Sequence, residues 1–357
     1  MDTSYLVPIA RKPRNVRTRG SVRSVSLCNR ISSVKLSQTW PTNTSFVSEV
    51  NKLDARMLPP LVTAAAWSIN DLNTGDVLWE KNSAETREMA SLTKIMTCYV
   101  VCNLLRQFNQ DPEKLTFTVP KFAAQIFGTH AGLKENEVIT IKDLLYGLML
   151  PSGNDAALTL AHGFGLLLMQ AKKSRVISKF PTSPVQEFVR EMNKTAIRMG
   201  LRSTTFTNPH GLSEKGNKST AQDLGKLGYH AMGIKLIQDI VSSKFYETTV
   251  VKYTGEKRIL KWKNTNRLLD KGFNGLKTGT TPNAGLCLSC VLKKGGNGVI
   301  VTLLNAKSEF NRWNESEKLA QWALDTVIYV KGKLESLGDA TTSKLTTKVF
   351  LDVARNL

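Results

Sequence analysis

No uninterrupted apolar run in the 357 residues approaches the ~20 needed to cross a bilayer as a helix. The longest, Leu144–Leu150 and Phe164–Met169, are short enough to be buried helix segments, so no transmembrane helix is expected. Acidic residues are scarce, 29 against 49 Lys and Arg, for a net charge of +20. Residues 1–48 hold eight of those bases against Asp2 alone, which gives +7 and leaves +13 for the rest. Such a surface attracts polyanions, yet no zinc-finger, RNA-recognition or helix-turn-helix signature accompanies it, and nucleic acid is not an expected partner. Histidine is rarer still: His130, His162, His210 and His230 show no ligand spacing. Of five cysteines, Cys98 and Cys102 lie a helical turn apart, while Cys287 and Cys290 stand three apart in a strand-like run. Three apart on a strand means opposite faces, so these four read as small core residues rather than a four-thiolate zinc site. No metal or organic cofactor is expected.

The first 58 residues also lack an apolar segment behind their basic residues, and so do not form a recognisable secretory signal. Rich in Arg and Ser and poor in acid, they resemble an organelle transit peptide; a disordered basic extension is the alternative. The transit-peptide reading would direct the chain to an organelle. Pro59-Pro60 marks the entry to the folded part. Ala64–Leu72 and Asp76–Glu80 read as strands around the hairpin signal Asn73-Thr74-Gly75. A helix ending near Phe108 follows, then helical stretches at Lys121–Phe127, Ile141–Leu150, Asp155–Leu167 and Val185–Met199. Strand-like segments return at Thr248–Tyr253, Leu286–Val291 and Val299–Leu304, and Glu315–Val330 closes as an amphipathic helix with Leu319, Trp322, Ala323, Val327 and Ile328 on one side. Lys344–Leu357 puts Leu345, Val349, Val353 and Leu357 on one stripe, read as docking on the body, with peripheral membrane contact as the alternative.

Three short patterns carry chemistry. Ser91 sits at a helix start, where free N–H groups favour developing negative charge. Lys94 follows three residues later on the same face. A hydroxyl becomes a competent nucleophile when a base takes its proton, and a lysine serves only with a lowered pKa. Alone, Ser-x-x-Lys is weak, since a capping serine beside an exposed lysine is commonplace. It gains weight from Ser152-Gly153-Asn154 and from Lys277-Thr278-Gly279 in the same chain. In this order the three are the motif set of penicillin-binding proteins and serine β-lactamases. Ala90–Thr97, Phe206–Leu212, Asn264–Leu269 and Leu276–Gly285 resemble stretches of one branch, the low-molecular-mass D-alanyl-D-alanine carboxypeptidases. The resemblance runs from about Ala64 to about Ile328.

This resemblance implies an α+β fold, a mainly antiparallel five-stranded sheet covered by helices with a helical lobe at roughly 95–245. It divides the chain into a leader (1–58), a catalytic domain (59–330) and a tail (331–357); Lys172–Ser183 looks like an insertion. It also implies a Ser91 acyl-enzyme, Lys94 as base with its pKa depressed chiefly by Lys277, and Ser152 relaying a proton to the leaving amine. Asn154 would bond the substrate's acyl amide, and the N–H groups of Ser91 and Thr280 would form the oxyanion hole. Lys277, Thr278 and Thr280 would hold a terminal carboxylate, Gly279 would let substrate approach the strand, and Arg312 would lie near the carboxylate from an Asn-rich loop. The expected partners are peptidoglycan stem peptides and β-lactams. The alternatives are a β-lactamase-type hydrolase, disfavoured because neither Glu187 nor Glu191 begins the Glu-x-x-Leu-Asn pattern of that branch's second base, and a non-catalytic binding protein of the same fold.

Overall fold

A computed structural model describes residues 58–173, 183–252 and 254–336. The leader up to residue 57, residues 174–182 of the insertion and residues 337–357 with the Lys344–Leu357 stripe lie outside the described residues. The central sheet has the strand order β2-β1-β9-β8-β7 and is antiparallel throughout: β1 (Ala66–Asp71), β2 (Val77–Lys81), β7 (Leu276–Thr281), β8 (Gly285–Lys294) and β9 (Asn297–Ala306). The hairpin signal folds as read. Asp71 Oδ1 accepts from the amides of Asn73 (2.6 Å) and Thr74 (3.1 Å), and Gly75 takes the left-handed φ of +81° that closes the turn.

Both faces of the sheet are covered, which is why its middle strands read as nearly continuous apolar runs. Leu288, Cys290, Val299, Val301 and Leu303 face the final helix, while Cys287, Val291, Ile300 and Leu304 join the core on the other side. The two cysteines thus do point to opposite faces, each fully buried. Two helices of that second core are α1 (Thr93–Gln107) and α6 (Ala221–Met232). Between them in sequence come α2 (Lys121–Ala124), α3 (Ile141–Met149), α4 (Asn154–Lys173) and α5 (Pro184–Arg198), and α7 (Lys235–Ser242) follows. Ser183 caps α5 in a reciprocal box with Gln186.

The final helix, α8, runs Glu309–Ser336, beginning six residues earlier and ending later than its amphipathic stripe suggests. It therefore crosses residue 330, where the catalytic domain was expected to end. Leu319, Ala323, Leu324 and Val327 are buried against the sheet, whereas Trp322 and Ile328 are only partly covered. Glu315 clasps the entering chain, accepting from the Thr63 amide (2.9 Å) and the Ala64 amide (3.1 Å).

The lobe is not helical alone. A second antiparallel sheet, ordered β3-β4-β5-β6, joins β3 (Thr116–Thr118), β4 (Glu137–Thr140), β5 (Phe245–Lys252) and β6 (Lys257–Lys263). The strand-like 248–252 stretch belongs here rather than to the central sheet. A buried ion pair ties β4 to β6: Arg258 donates to both Glu137 oxygens at 2.7–2.9 Å, and Glu137 is 1% exposed. Trp262 Nε1 donates to Ala131 O (2.7 Å), anchoring the segment that leads from β6 into the cleft.

Removing one partner of a buried pair leaves an uncompensated charge, whereas apolar replacement of both avoids it. Arg258→Ala should therefore cost about 2–3 kcal/mol in urea unfolding, below the ~3–5 kcal/mol of a fully buried pair because Arg258 is partly solvated. Glu137→Leu with Arg258→Met should cost less than Arg258→Ala alone. A double variant as unstable as the single one would contradict this account of the pair.

Candidate active site

Ser91 lies in a tight 3-10 turn, Ala90–Leu92, that leads directly into α1. The turn is held in a costly shape. Ala90 has φ +49°, a region a residue with a Cβ avoids, and its carbonyl accepts from Thr93 Oγ1 at 2.9 Å. The loop Phe206–Leu212 supports it from below. Asn208 Oδ1 accepts from the Gly211 amide (2.7 Å), Thr97 Oγ1 donates to Pro209 O (2.6 Å), and Gly211 presses its bare Cα against the Ala90 carbonyl, where a methyl would overlap it.

Lys94 is fully buried beneath Ser91. Its Nζ lies 2.9 Å from Ser91 Oγ, 2.7 Å from Asn154 Oδ1 and 2.6 Å from His210 O. The Asn154 amide is oriented by Phe127 O, which can only accept and takes Nδ2 at 2.9 Å, leaving Oδ1 toward the lysine. Burial pushes the Lys94 pKa well below 10.5, and the Lys277 charge lowers it further, against an opposing pull from Asp155. The expected order of causes is thus reversed: desolvation leads and like-charge repulsion assists. A neutral amine has two hydrogens and one lone pair. Asn154 Oδ1 and His210 O can only accept and take the two hydrogens, so the lone pair faces the Ser91 hydroxyl. His210 itself is held neutral, its pKa pushed to about 3 chiefly by burial and further by the charge of Lys94 in its protonated form.

Ser152 and Asn154 stand at the start of α4. Ser152 has φ +66° and is 4% exposed, and its Oγ has no hydrogen-bond partner among the described residues. It does not cap α4; an uncommitted buried hydroxyl on the cleft wall is what a proton relay requires. Asp155 accepts from the amides of Ala131 (2.8 Å), Leu133 (3.0 Å) and Ala156 (2.9 Å), fixing the Ala131–Leu133 stretch beside the start of α4.

The third motif lies on β7, the edge strand beside the Ser91 turn. A methyl at Gly279 would come 2.9 Å from the Ser91 amide nitrogen and 3.2 Å from Met89 O. Gly279 is therefore required by contact with the serine turn, and it also lines the cleft in which the resemblance implies substrate approach to the strand. Lys277 is 1% exposed and donates to Thr278 O (3.0 Å), with its pKa lowered to about 7 by burial and by Arg312. Arg312 lies on the first turn of α8 rather than in an exposed loop. It is 7% exposed, donates to Thr280 Oγ1 (3.0 Å) and stacks 4.5 Å over the Trp313 ring.

These residues converge on a cleft of about 650 Å³ between β7 and the lobe. Ser91, Ser152, Asn154, Thr278, Gly279, Thr280 and Arg312 line it; Lys94 and Lys277 lie behind its wall. Three contributors carried no assigned role in the sequence: His210, Thr265, whose hydroxyl pairs with that of Thr278 (2.8 Å), and Trp313. The first two lie in stretches that already resembled the family, Phe206–Leu212 and Asn264–Leu269, so a signal was present without a role.

A profile of the D-alanyl-D-alanine carboxypeptidase family matches residues 54–165 and 177–308. A D-alanyl-D-alanine carboxypeptidase of Streptomyces sp. strain K15 is 32% identical over 270 residues, 74% of this chain and 88% of its own length. The Escherichia coli K12 enzyme DacC is 35% identical over 286 residues, and there the chain spans 64% of its relative. Among solved structures, the Streptomyces K15 DD-transpeptidase superposes with a TM-score of 0.67 at 32% identity, covering 75% of this chain and 99% of that one. The DacD carboxypeptidase of Francisella tularensis gives 0.65 at 26% identity, over 75% and 71%.

Proposed function

The chain belongs to the D-alanyl-D-alanine carboxypeptidase family of serine peptidases, and we propose that it releases the terminal D-alanine of peptidoglycan stem peptides through an acyl-enzyme on Ser91. The observation that carries this reading is the buried Lys94 amine with its two acceptors and its 2.9 Å approach to Ser91 Oγ. As Oγ attacks the penultimate residue's carbonyl carbon, the Lys94 lone pair takes the hydroxyl proton. Charge developing on the carbonyl oxygen falls between the N–H groups of Ser91 and Thr280, a contribution commonly of a few kcal/mol per donor. The C–N bond then breaks, and Ser152 passes a proton to the departing amine. Asn154 retains a second amide hydrogen for the substrate besides the one given to Phe127 O. Water attacks the ester to close the cycle. That the Streptomyces K15 relative carries the names carboxypeptidase and DD-transpeptidase fits an acyl-enzyme open to water or an amine.

For the terminal carboxylate, Arg312 with the hydroxyls of Thr278 and Thr280 are the lining groups. Lys277, behind the wall, acts on the reaction chiefly through the Lys94 pKa. Two substitutions separate these roles. On a diacyl-Lys-D-Ala-D-Ala peptide, followed by D-alanine release, Arg312→Ala should lower kcat/KM about ten- to a hundredfold, and far less on the terminal amide. Lys277→Gln should lower both alike. Removing its positive charge makes the Lys94 cation less unfavourable, so the Lys94 pKa rises and the acid limb of kcat/KM moves to higher pH. A loss confined to the acid substrate, with an unmoved limb, would return Lys277 to the carboxylate.

β-Lactams should acylate Ser91 and stay. The groups that position the peptide position the ring, while the tethered leaving group obstructs water and no Glu-x-x-Leu-Asn base is present. Intact-mass spectrometry with benzylpenicillin should show one adduct lasting minutes or longer, absent in Ser91→Ala. Rapid recovery of free protein with steady penicillin turnover would place the chain with the β-lactamases; no adduct on folded protein would favour the non-catalytic reading.

A further inference from the structure

Beyond Arg312 the cleft opens into a second depression of about 450 Å³, which shares Arg267, Glu309 and Trp313 with it. The depression lies between the 3-10 turn Arg267–Lys271 and the first turns of α8. Trp313 lines it and touches two guanidinium groups, Arg312 at 4.5 Å and Arg267 at 5.8 Å. Phe310 also lines it and is 73% exposed, so its ring is open to a ligand in the depression. The charges around the rim are already matched: Arg267 pairs with Glu309 at 3.1 Å, and Lys271 with Glu317. Among the described residues each charged side chain on the rim, Arg267, Lys271, Glu309 and Glu317, already has an opposite partner, whereas an apolar or aromatic group would find Trp313 and Phe310.

We propose that this depression is a subsite for the side chain of the departing C-terminal residue, and that it takes large aromatic or aliphatic D-residues. The proposal rests on the carboxypeptidase reading and extends it. Arg312, which holds the leaving residue's carboxylate in that reading, is stacked on Trp313. The side chain of that residue branches from the same Cα as the carboxylate, so it lies within one residue's reach of the indole. An alanine methyl leaves the depression unfilled; a phenyl or isobutyl group covers Trp313 and meets Phe310. The chemistry is unchanged: the same amide bond breaks, and the leaving amine is a larger D-amino acid.

The test uses the full chain and diacyl-Lys-D-Ala-D-Xaa peptides with Xaa Ala, Leu or Phe, measuring release of the free D-residue. Wild type should turn over the D-Leu and D-Phe peptides with kcat/KM within tenfold of the D-Ala peptide or above it. Phe310→Ala should lower the D-Phe to D-Ala ratio roughly three- to tenfold, the scale of one aromatic contact, while D-Ala release is unchanged. If D-Ala is released but the D-Phe and D-Leu peptides are cleaved less than a tenth as well, the subsite is wrong and the carboxypeptidase reading stands. An unchanged ratio in Phe310→Ala would overturn it equally. Release from none of the three peptides would bring down the carboxypeptidase reading, and this subsite with it.

Discussion

An amine taken wholly out of water is the constraint on which the site depends. Enclosing a lysine disfavours its charged form far more than its neutral one, so packing Lys94 under Ser91 selects the base needed at that position. The surroundings then fix its direction. Asn154 and His210 O absorb its hydrogens, and a hydrogen bond from Asn154 to Phe127 O settles which amide atom faces it. Among the described residues, Asp155 is the acid that opposes the shift. Its oxygens are taken up by three backbone amides, so it braces the Ala131–Leu133 stretch instead of approaching the lysine as a counter-ion.

Other features are costs accepted around that amine. Ala90 and Ser152 hold left-handed backbone angles, each a strain of order 1–3 kcal/mol for a residue with a Cβ. The buried Ser152 hydroxyl, without a hydrogen-bond partner among the described residues, adds a further ~1–3 kcal/mol. What sustains them is close backbone packing, with Gly211 against the Ala90 carbonyl and Gly279 against the Ser91 amide. The edge strand, the serine turn and the lobe are thereby locked at one spacing, and the cleft is the space that remains.

Much of this was legible in the chain, for identifiable reasons. The hairpin at Asn73–Gly75, the long helices and the two-faced β8 announce themselves through turn chemistry and periodicity. The second sheet did not. Thr116–Thr118 and Glu137–Thr140 are too short to show a period of two, and Lys257–Lys263 alternates with lysines that mask its buried Leu260 and Trp262. Arg312 read as a loop residue because Asn311 and Asn314 are poor helix formers, whereas packing of α8 carries the helix through them. Gly279 and Lys277 share a different difficulty. Why one must lack a side chain, and why the other is buried, depends on contacts with segments nearly two hundred residues away, which no local pattern reports.

The central claim concerns one proton on one nitrogen. With lysine carrying ¹³C at Cε, the Lys94 resonance can be assigned by its absence in Lys94→Met and followed against pH in the folded protein. It should titrate well below 10.5, and its midpoint should coincide with the acid limb of the rate at which benzylpenicillin acylates Ser91. A Lys94 that titrates like a solvent-exposed lysine, while Ser91 is still acylated rapidly at neutral pH, would contradict the account.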